Sequence, residues 1–138
     1  MRFPYRGAGI GLLLDGKILM GRRSDHPFHG TWCVPGGTRD KALDSDDLST
    51  AIRELREETS VDFMKLDAAY IGQWSLKLPF FRWTTFFYRI SSFDQDLVPN
   101  EFYELQWLEP SAVLEKTDRK KHFRPFTRSE VRCLADIL

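Results

Sequence analysis

The sequence has no surplus of either charge: twenty lysines and arginines are matched by twenty aspartates and glutamates over 138 residues. Non-specific binding to nucleic acid or to an anionic membrane is driven by a large basic excess, so no long nucleic acid and no membrane is expected as a partner. Cysteine is scarce, with Cys33 and Cys133 alone. Two cysteines make neither a disulfide framework nor a thiolate metal site, and they fit reduced thiols in a cytoplasmic protein. Long hydrophobic runs are lacking too. The apolar stretch from Gly7 to Leu14 is cut off by Asp15-Gly16-Lys17, too short for a membrane span or a secretory leader. Without repeats, low-complexity tracts or linkers, residues 1–138 read as one soluble, unprocessed domain. A chain of this size buries an ordinary hydrophobic core without disulfides, and its four Trp, four Tyr and eleven Phe help to fill it.

Charge is balanced overall but not locally. Residues 1–23 carry five basic residues against one acidic, residues 40–67 nine acidic against four basic, and residues 115–132 seven basic against three acidic. An acidic middle flanked by basic ends suits a metal-dependent site for a phosphate compound, although each stretch alone reads as solvated surface. Gly9–Leu14 and Lys17–Met20 flank Asp15-Gly16, a two-residue turn signal for a β-hairpin. Arg22 to Lys41, punctuated by glycine and proline, reads as a long ordered loop. Leu48, Ala51, Ile52 and Leu55 recur at the spacing of one helical stripe, with Ser45, Asp46 and Asp47 to cap it, so a helix is expected over 45–59. Leu66–Trp74, Arg82–Ile90 and Glu104–Leu108 read as strands, and Thr127-Arg-Ser-Glu130 as a capping box opening a last helix. The order implies an α/β fold with helices covering a mixed sheet.

On the middle helix Glu54, Glu57 and Glu58 stand at i, i+3 and i+4, so their carboxylates share one side. Like charges at these spacings repel. Arg53 reaches Glu57 at i+4, but Glu54 and Glu58 face each other with no counter-charge on the helix, and a hard divalent cation such as Mg²⁺ would remove the repulsion. For the three glutamates taken alone an exposed charged face is the plainer account. Pro35-Gly36-Gly37 just upstream changes the balance, because glycine permits a close backbone approach and a carbonyl there would add a metal ligand.

Taken together, Gly37 followed by Arg53-Glu54-Leu55-Arg56-Glu57-Glu58-Thr59-Ser60-Val61 resembles the signature of the Nudix hydrolases, G-x5-E-x7-R-E-U-x-E-E-x-G-U, in which U is a bulky aliphatic residue. The match extends upstream through Lys17-Ile-Leu-Met-Gly-Arg-Arg23 and Gly30-Thr-Trp-Cys-Val-Pro-Gly-Gly37, and downstream to Glu104-Leu-Gln-Trp-Leu108. Two departures stand out. Arg53 lies sixteen positions after Gly37 where the signature has fourteen, and the box's first glutamate has no clear equivalent, with Asp44, Asp46 or Asp47 available to substitute. Ser60 takes the place of the final glycine, which puts a side chain at the helix exit.

The resemblance implies an α/β/α sandwich with a mixed sheet. It implies that Glu57, Glu58 and the Gly36 carbonyl bind Mg²⁺ or Mn²⁺, that Glu54 completes the metal site or accepts a proton from water, and that Arg53 pairs with a glutamate to orient it. It also implies an extra acid from outside the box, for which Glu101 and Glu104 both remain open. Arg22 or Arg23 would grip a phosphate, and Trp74 or Phe80, out of an aromatic set that includes Trp32, Phe81 and Trp83, would stack on a base. His26 and His29 lack a third ligand for zinc, and Lys116 to Arg124 would steer anions or simply be solvated. The implied activity is metal-dependent hydrolysis of a nucleoside diphosphate linked to another moiety, a nucleoside triphosphate or a nucleotide sugar, releasing a nucleoside monophosphate. ADP-ribose or another dinucleotide, or a nucleotide-binding module without turnover, are the alternatives. The implied partners are a small nucleotide substrate and, as one option, a second copy of the chain in a homodimer.

Overall fold

A computed structural model of the chain describes residues 3–25, 28–116 and 126–138. The Asp15-Gly16 turn forms as the sequence predicts, both residues at positive φ, and joins β1 (Tyr5–Leu14) to β2 (Lys17–Arg23). The two strands pair only beside that turn, at Leu13↔Ile18 and Leu14↔Lys17. Beyond it they part, and the gap admits two short strands from what reads as a loop in sequence. β3 (Trp32–Cys33) pairs with β2, while β4 (Gly36–Thr38) pairs with β1 through Gly7↔Thr38, Ala8↔Gly37 and Gly9↔Gly36. Glycine is needed where β1 and β4 press together: a Cβ on Gly36 would lie 2.6 Å from the Ala8 carbonyl oxygen. Pro35-Gly36-Gly37 is thereby inserted into the sheet instead of hanging from it.

β5 (Ala68–Leu78) and β6 (Phe81–Ile90) form a hairpin whose turn is Pro79-Phe80, and β6 runs parallel to β1 from Tyr5↔Phe81 to Leu14↔Ile90. β7 (Phe102–Leu108) adds to the free edge of β2. The sheet is therefore mixed, in the order β3-β2-β1-β6-β5 with β4 on β1 and β7 on β2. Alternation along β1 divides the core between the two faces. Ala8, Ile10 and Leu12 pack with Ala51 and Leu55 of α1 (Asp47–Thr59), and Leu13, Met20 and Phe87 pack with Val113 of α2 (Pro110–Lys116) and with Val131 and Leu134 of α3 (Thr127–Ile137). This is the α/β/α sandwich expected from the sequence. Among the described residues no helix is long and apolar enough to cross a membrane.

Asp46 caps α1, its carboxylate accepting from the Ser49 N–H at 2.8 Å. Ser60 ends the helix in the left-handed conformation (φ 66°) that the signature's glycine would adopt without strain, and its N–H still closes on the Arg56 carbonyl at 2.9 Å. The capping box expected at the start of α3 does not form. Phe126 holds the cap position with no side-chain bond, the Thr127 hydroxyl points to the Trp32 carbonyl at 3.5 Å, and Glu130 is fully buried.

Candidate active site

Arg53 organises the carboxylate edge of α1. Its Nε and Nη2 donate to both oxygens of Asp44 at 2.9 Å, its Nη1 reaches Glu57 at 3.1 Å and Glu54 at 3.2 Å, and its Nη2 also donates to the Thr38 carbonyl at 2.9 Å. Asp44 is buried, takes two further hydrogen bonds from the Asp40 N–H and the Thr50 hydroxyl, and is held well below the usual carboxylate range chiefly by Arg53. Of the three aspartates offered by sequence, only Asp44 pairs with Arg53, whereas Asp46 caps the helix and Asp47 pairs with Arg6 at 2.8 Å. A turn at 41–43 carries the chain from Asp40 to Asp44.

Glu58 does not lie on an exposed face. It is 4% exposed and accepts the Gly36 N–H at 2.8 Å, which ties the end of α1 to β4. Glu54 packs against the other glycine of the pair. A Cβ on Gly37 would collide with its carboxyl group, so glycine there lets the carboxyl reach the backbone. Burial pushes Glu54 up to about 7, the Arg53 guanidinium opposes the rise, and the charges of Glu57 and Glu101 add to it. Glu57 is half exposed and turned toward Arg53.

Glu101 reaches this edge because the chain before it is strapped to the end of α1. Val98 donates to the Thr59 carbonyl at 3.0 Å, and Asn100 donates to the Glu58 and Glu57 carbonyls at 2.9 and 3.1 Å. Glu104 faces elsewhere: it pairs with Arg22 across the β2–β7 ladder at 3.1 Å, and Arg22 in turn lies 4.7 Å over the Tyr103 ring. Sequence alone left Glu101 and Glu104 level, because only the strap separates them.

The remaining candidates lie apart from the carboxylates. The Arg23 backbone is clamped to Thr31 and Gly30 at the end of β2. Trp74 lies on the α3 face, stacked on Phe126 at 5.6 Å in a cluster with Trp83 and Phe81. Phe80 is 69% exposed at the hairpin turn. It stands at the turn before β6, four residues from Thr84, the residue level with Ala8 and Gly37, a span along the strand of roughly 13 Å. Sequence reading missed Glu130, whose Oε2 accepts from the Thr85 hydroxyl, which itself accepts the Trp83 indole N–H at 2.8 Å. Its capping-box position concealed it. His29 bonds the Tyr103 hydroxyl at 2.5 Å, while His26 and the basic stretch following α2 lie outside the described residues.

Among the described residues no three acidic, histidine or cysteine side chains already converge as a closed metal cage. The donor set still suits a hard divalent cation: it is all oxygen, Glu54 and Glu57 share the Arg53 guanidinium, and burial, reinforced by the charges of Glu57 and Glu101, raises the proton affinity of Glu54, a proton that a cation would displace.

A family model, the NUDIX domain, matches residues 4–129. Solved structures agree on the fold. A bifunctional NMN adenylyltransferase/ADP ribose pyrophosphatase from Francisella tularensis, crystallised with AMP and a manganese ion, superposes with a TM-score of 0.79 at 16% identity over 96% of this chain and 41% of its own. The chain thus spans less than half of that protein. A Caenorhabditis elegans Ap4A hydrolase has a TM-score of 0.72 at 17% identity over 96% of both chains, and the Nudix hydrolase RenU of Mycobacterium smegmatis 0.75 at 20% over 97% of this chain and 85% of its own. No curated protein matches the chain in sequence.

Proposed function

We propose that this chain, which belongs to the Nudix family, is a pyrophosphohydrolase that releases a nucleoside monophosphate from a nucleoside triphosphate or a nucleotide sugar in a magnesium- or manganese-dependent reaction. One observation carries the reading: the Pro35-Gly36-Gly37 segment, inserted into the sheet, meets Glu54 and Glu58 on α1 with Glu57 and Glu101 beside them. Glu54, Glu57, Glu58, Glu101 and the Gly36 carbonyl are the groups that would hold the ion. Once bound, a divalent ion neutralises diphosphate charge and acidifies a water. Glu54, with a proton affinity near neutrality in the metal-free chain, is the group suited to take a proton from the attacking water. Arg53 orients Glu54 and Glu57, and Asp44 holds Arg53 in place.

Substrate recognition is assigned to Arg23 for a phosphate and to the Trp74 side of the sheet for the base. Arg22, which pairs with Glu104 and lies over Tyr103, is the alternative to Arg23, and Phe80, exposed at the hairpin turn, is a weaker candidate than Trp74. The reaction is tested by incubating the purified protein with Mg²⁺ or Mn²⁺ against nucleoside triphosphates, nucleotide sugars, ADP-ribose and Ap4A, with nucleoside monophosphate measured as product. ADP-ribose and Ap4A enter the panel because structurally similar proteins are pyrophosphatases or hydrolases of those compounds. Arg23→Ala is expected to raise KM about 10- to 100-fold on the preferred substrate. Absence of metal-dependent monophosphate release from every compound would leave a nucleotide-binding module without turnover.

A further inference from the structure

On the α1 face of the sheet a cleft of about 250 Å³ lies over β5 and β6, on the opposite side of β1 from β4 and the carboxylate edge. Three cations cross it in one row. Arg6 of β1 is level with Arg82 of β6, and Arg82 with Lys77 of β5. Like charges directly opposite on neighbouring strands repel, and two such pairs in succession give the row no structural benefit. Arg6 is paired with Asp47 at 2.8 and 3.2 Å; among the described residues Lys77 and Arg82 make no ion pair. Lys77 alone would be accounted for as an edge-strand guard, since β5 ends the sheet, but Arg82 and Arg6 lie on interior strands.

The next row on the same face is Ser75↔Thr84, whose hydroxyls meet at 3.0 Å, with Thr84 almost buried at the floor of the cleft. One row further, Gln73 adds an amide. The lining is therefore rich in donors, and three positive charges against Asp47 leave a balance of two. A phosphate monoester carries close to two negative charges at neutral pH and three acceptor oxygens, which matches both counts.

We propose that the cleft formed by Arg6, Arg82, Lys77, Ser75 and Thr84 is a second phosphate-binding site, separate from the carboxylate cluster, that takes a phosphate monoester dianion. Asp47 stands on the first turn of α1, the helix that carries Glu54, Glu57 and Glu58, so the two sites share a rigid element without sharing a residue. The assignment does not depend on which diphosphate the protein hydrolyses.

The test is a titration of the isotope-labelled full chain, stripped of divalent cations, with inorganic phosphate and separately with AMP, ionic strength being held constant with sodium chloride. Amide signals of Ser75, Lys77, Arg82 and Thr84 should shift saturably. Lys77→Gln/Arg82→Gln should weaken binding at least tenfold while melting at or above the wild-type temperature, because the like-charge row is relieved. Glu58→Gln should bind phosphate at the cleft as the wild type does. Equal affinity for AMP and inorganic phosphate identifies the phosphate as the recognised group, and tighter AMP binding extends the site to a nucleoside. Shifts that do not saturate, saturable shifts confined to residues 36–58, or undiminished binding by the double variant would overturn the proposal. If the double variant fails to fold, Lys77→Gln on the edge strand is read in its place, with a several-fold loss expected and no loss counting against the site.

Discussion

Two glutamates on opposite faces of the sheet are buried in comparable ways. Glu58 on α1 is 4% exposed and Glu130 on α3 is 0% exposed, and each carboxylate answers the cost of desolvation with a hydrogen bond. Their partners differ. Glu58 accepts from the backbone N–H of Gly36, a group fixed by the β1–β4 ladder, whereas Glu130 accepts from the Thr85 hydroxyl at the end of a side-chain relay that begins at the Trp83 indole. Glu58 is thereby tied to the β1–β4 ladder at Gly36, next to Gly37, on which Glu54 packs. Glu130, held by side chains, secures the packing of α3 on the sheet. The same residue type thus meets the sheet's backbone on one face and a side-chain relay on the other.

The comparison breaks most clearly at Glu58. Glu58→Gln keeps an oxygen to accept from Gly36, so stability should stay within about 1 kcal/mol of wild type while turnover falls about 10³-fold, some 4 kcal/mol of transition-state stabilisation. Denaturant unfolding alongside steady-state rates decides it. A variant that unfolds while its residual rate is normal would make Glu58 a structural residue like Glu130.

The next largest effect is one of pH. In the metal-free chain the folded state holds the Glu54 proton up to about 7, against an ordinary value of 4.5. A carboxyl raised in this way favours the folded state below the unfolded value and loses that contribution as pH rises through the folded one. Wild-type stability relative to Glu54→Gln should therefore fall by about 2–3 kcal/mol between pH 4.5 and 7.5 in the presence of a chelator. Added Mg²⁺ should flatten the difference. A profile that is level without metal would show that burial does not raise the proton affinity of Glu54.

On the other face, Thr85→Val removes the hydroxyl that accepts the Trp83 N–H and donates to Glu130, and should cost about 1–3 kcal/mol with a much smaller effect on rate than the Glu58 variant. The smallest change expected is at the exit of α1: Ser60→Gly removes left-handed strain and should gain about 0.5–1 kcal/mol in denaturant unfolding. A loss there would mean that the Ser60 side chain contributes a contact outweighing the strain.

The features legible in sequence were those encoded by local spacing. Asp15-Gly16 makes a two-residue turn whatever surrounds it, and the α1 stripe with Asp46 at its cap needs only helical period and one side-chain bond. β3 and β4 escaped because strands of two and three residues exist only through the gap that β1 and β2 leave. α2 escaped although proline stands at its first position, where a helix accepts it. Thr127 and Glu130 carried a valid local signature, and tertiary partners outcompeted it: the hydroxyl is drawn to Trp32 and the carboxylate to Thr85.

Local spacing alone places Glu54, Glu57 and Glu58 on the carboxylate edge of α1, because a helix converts a spacing of three and four into one side, and the family is legible because the Arg53-Glu54-Leu55-Arg56-Glu57-Glu58 run sits downstream of Pro35-Gly36-Gly37. What faces that edge depends on the fold. Asp44 was chosen over Asp46 and Asp47, Glu101 over Glu104, and Glu58 was sunk onto a backbone N–H. The cationic row of Arg6, Arg82 and Lys77 is likewise invisible along the chain, its members being 5 to 76 residues apart and level only through strand register. Periodicity specifies the direction in which a side chain points from its own element; the atom waiting there belongs to another element, and its arrival depends on register, crossover and packing that no local window contains.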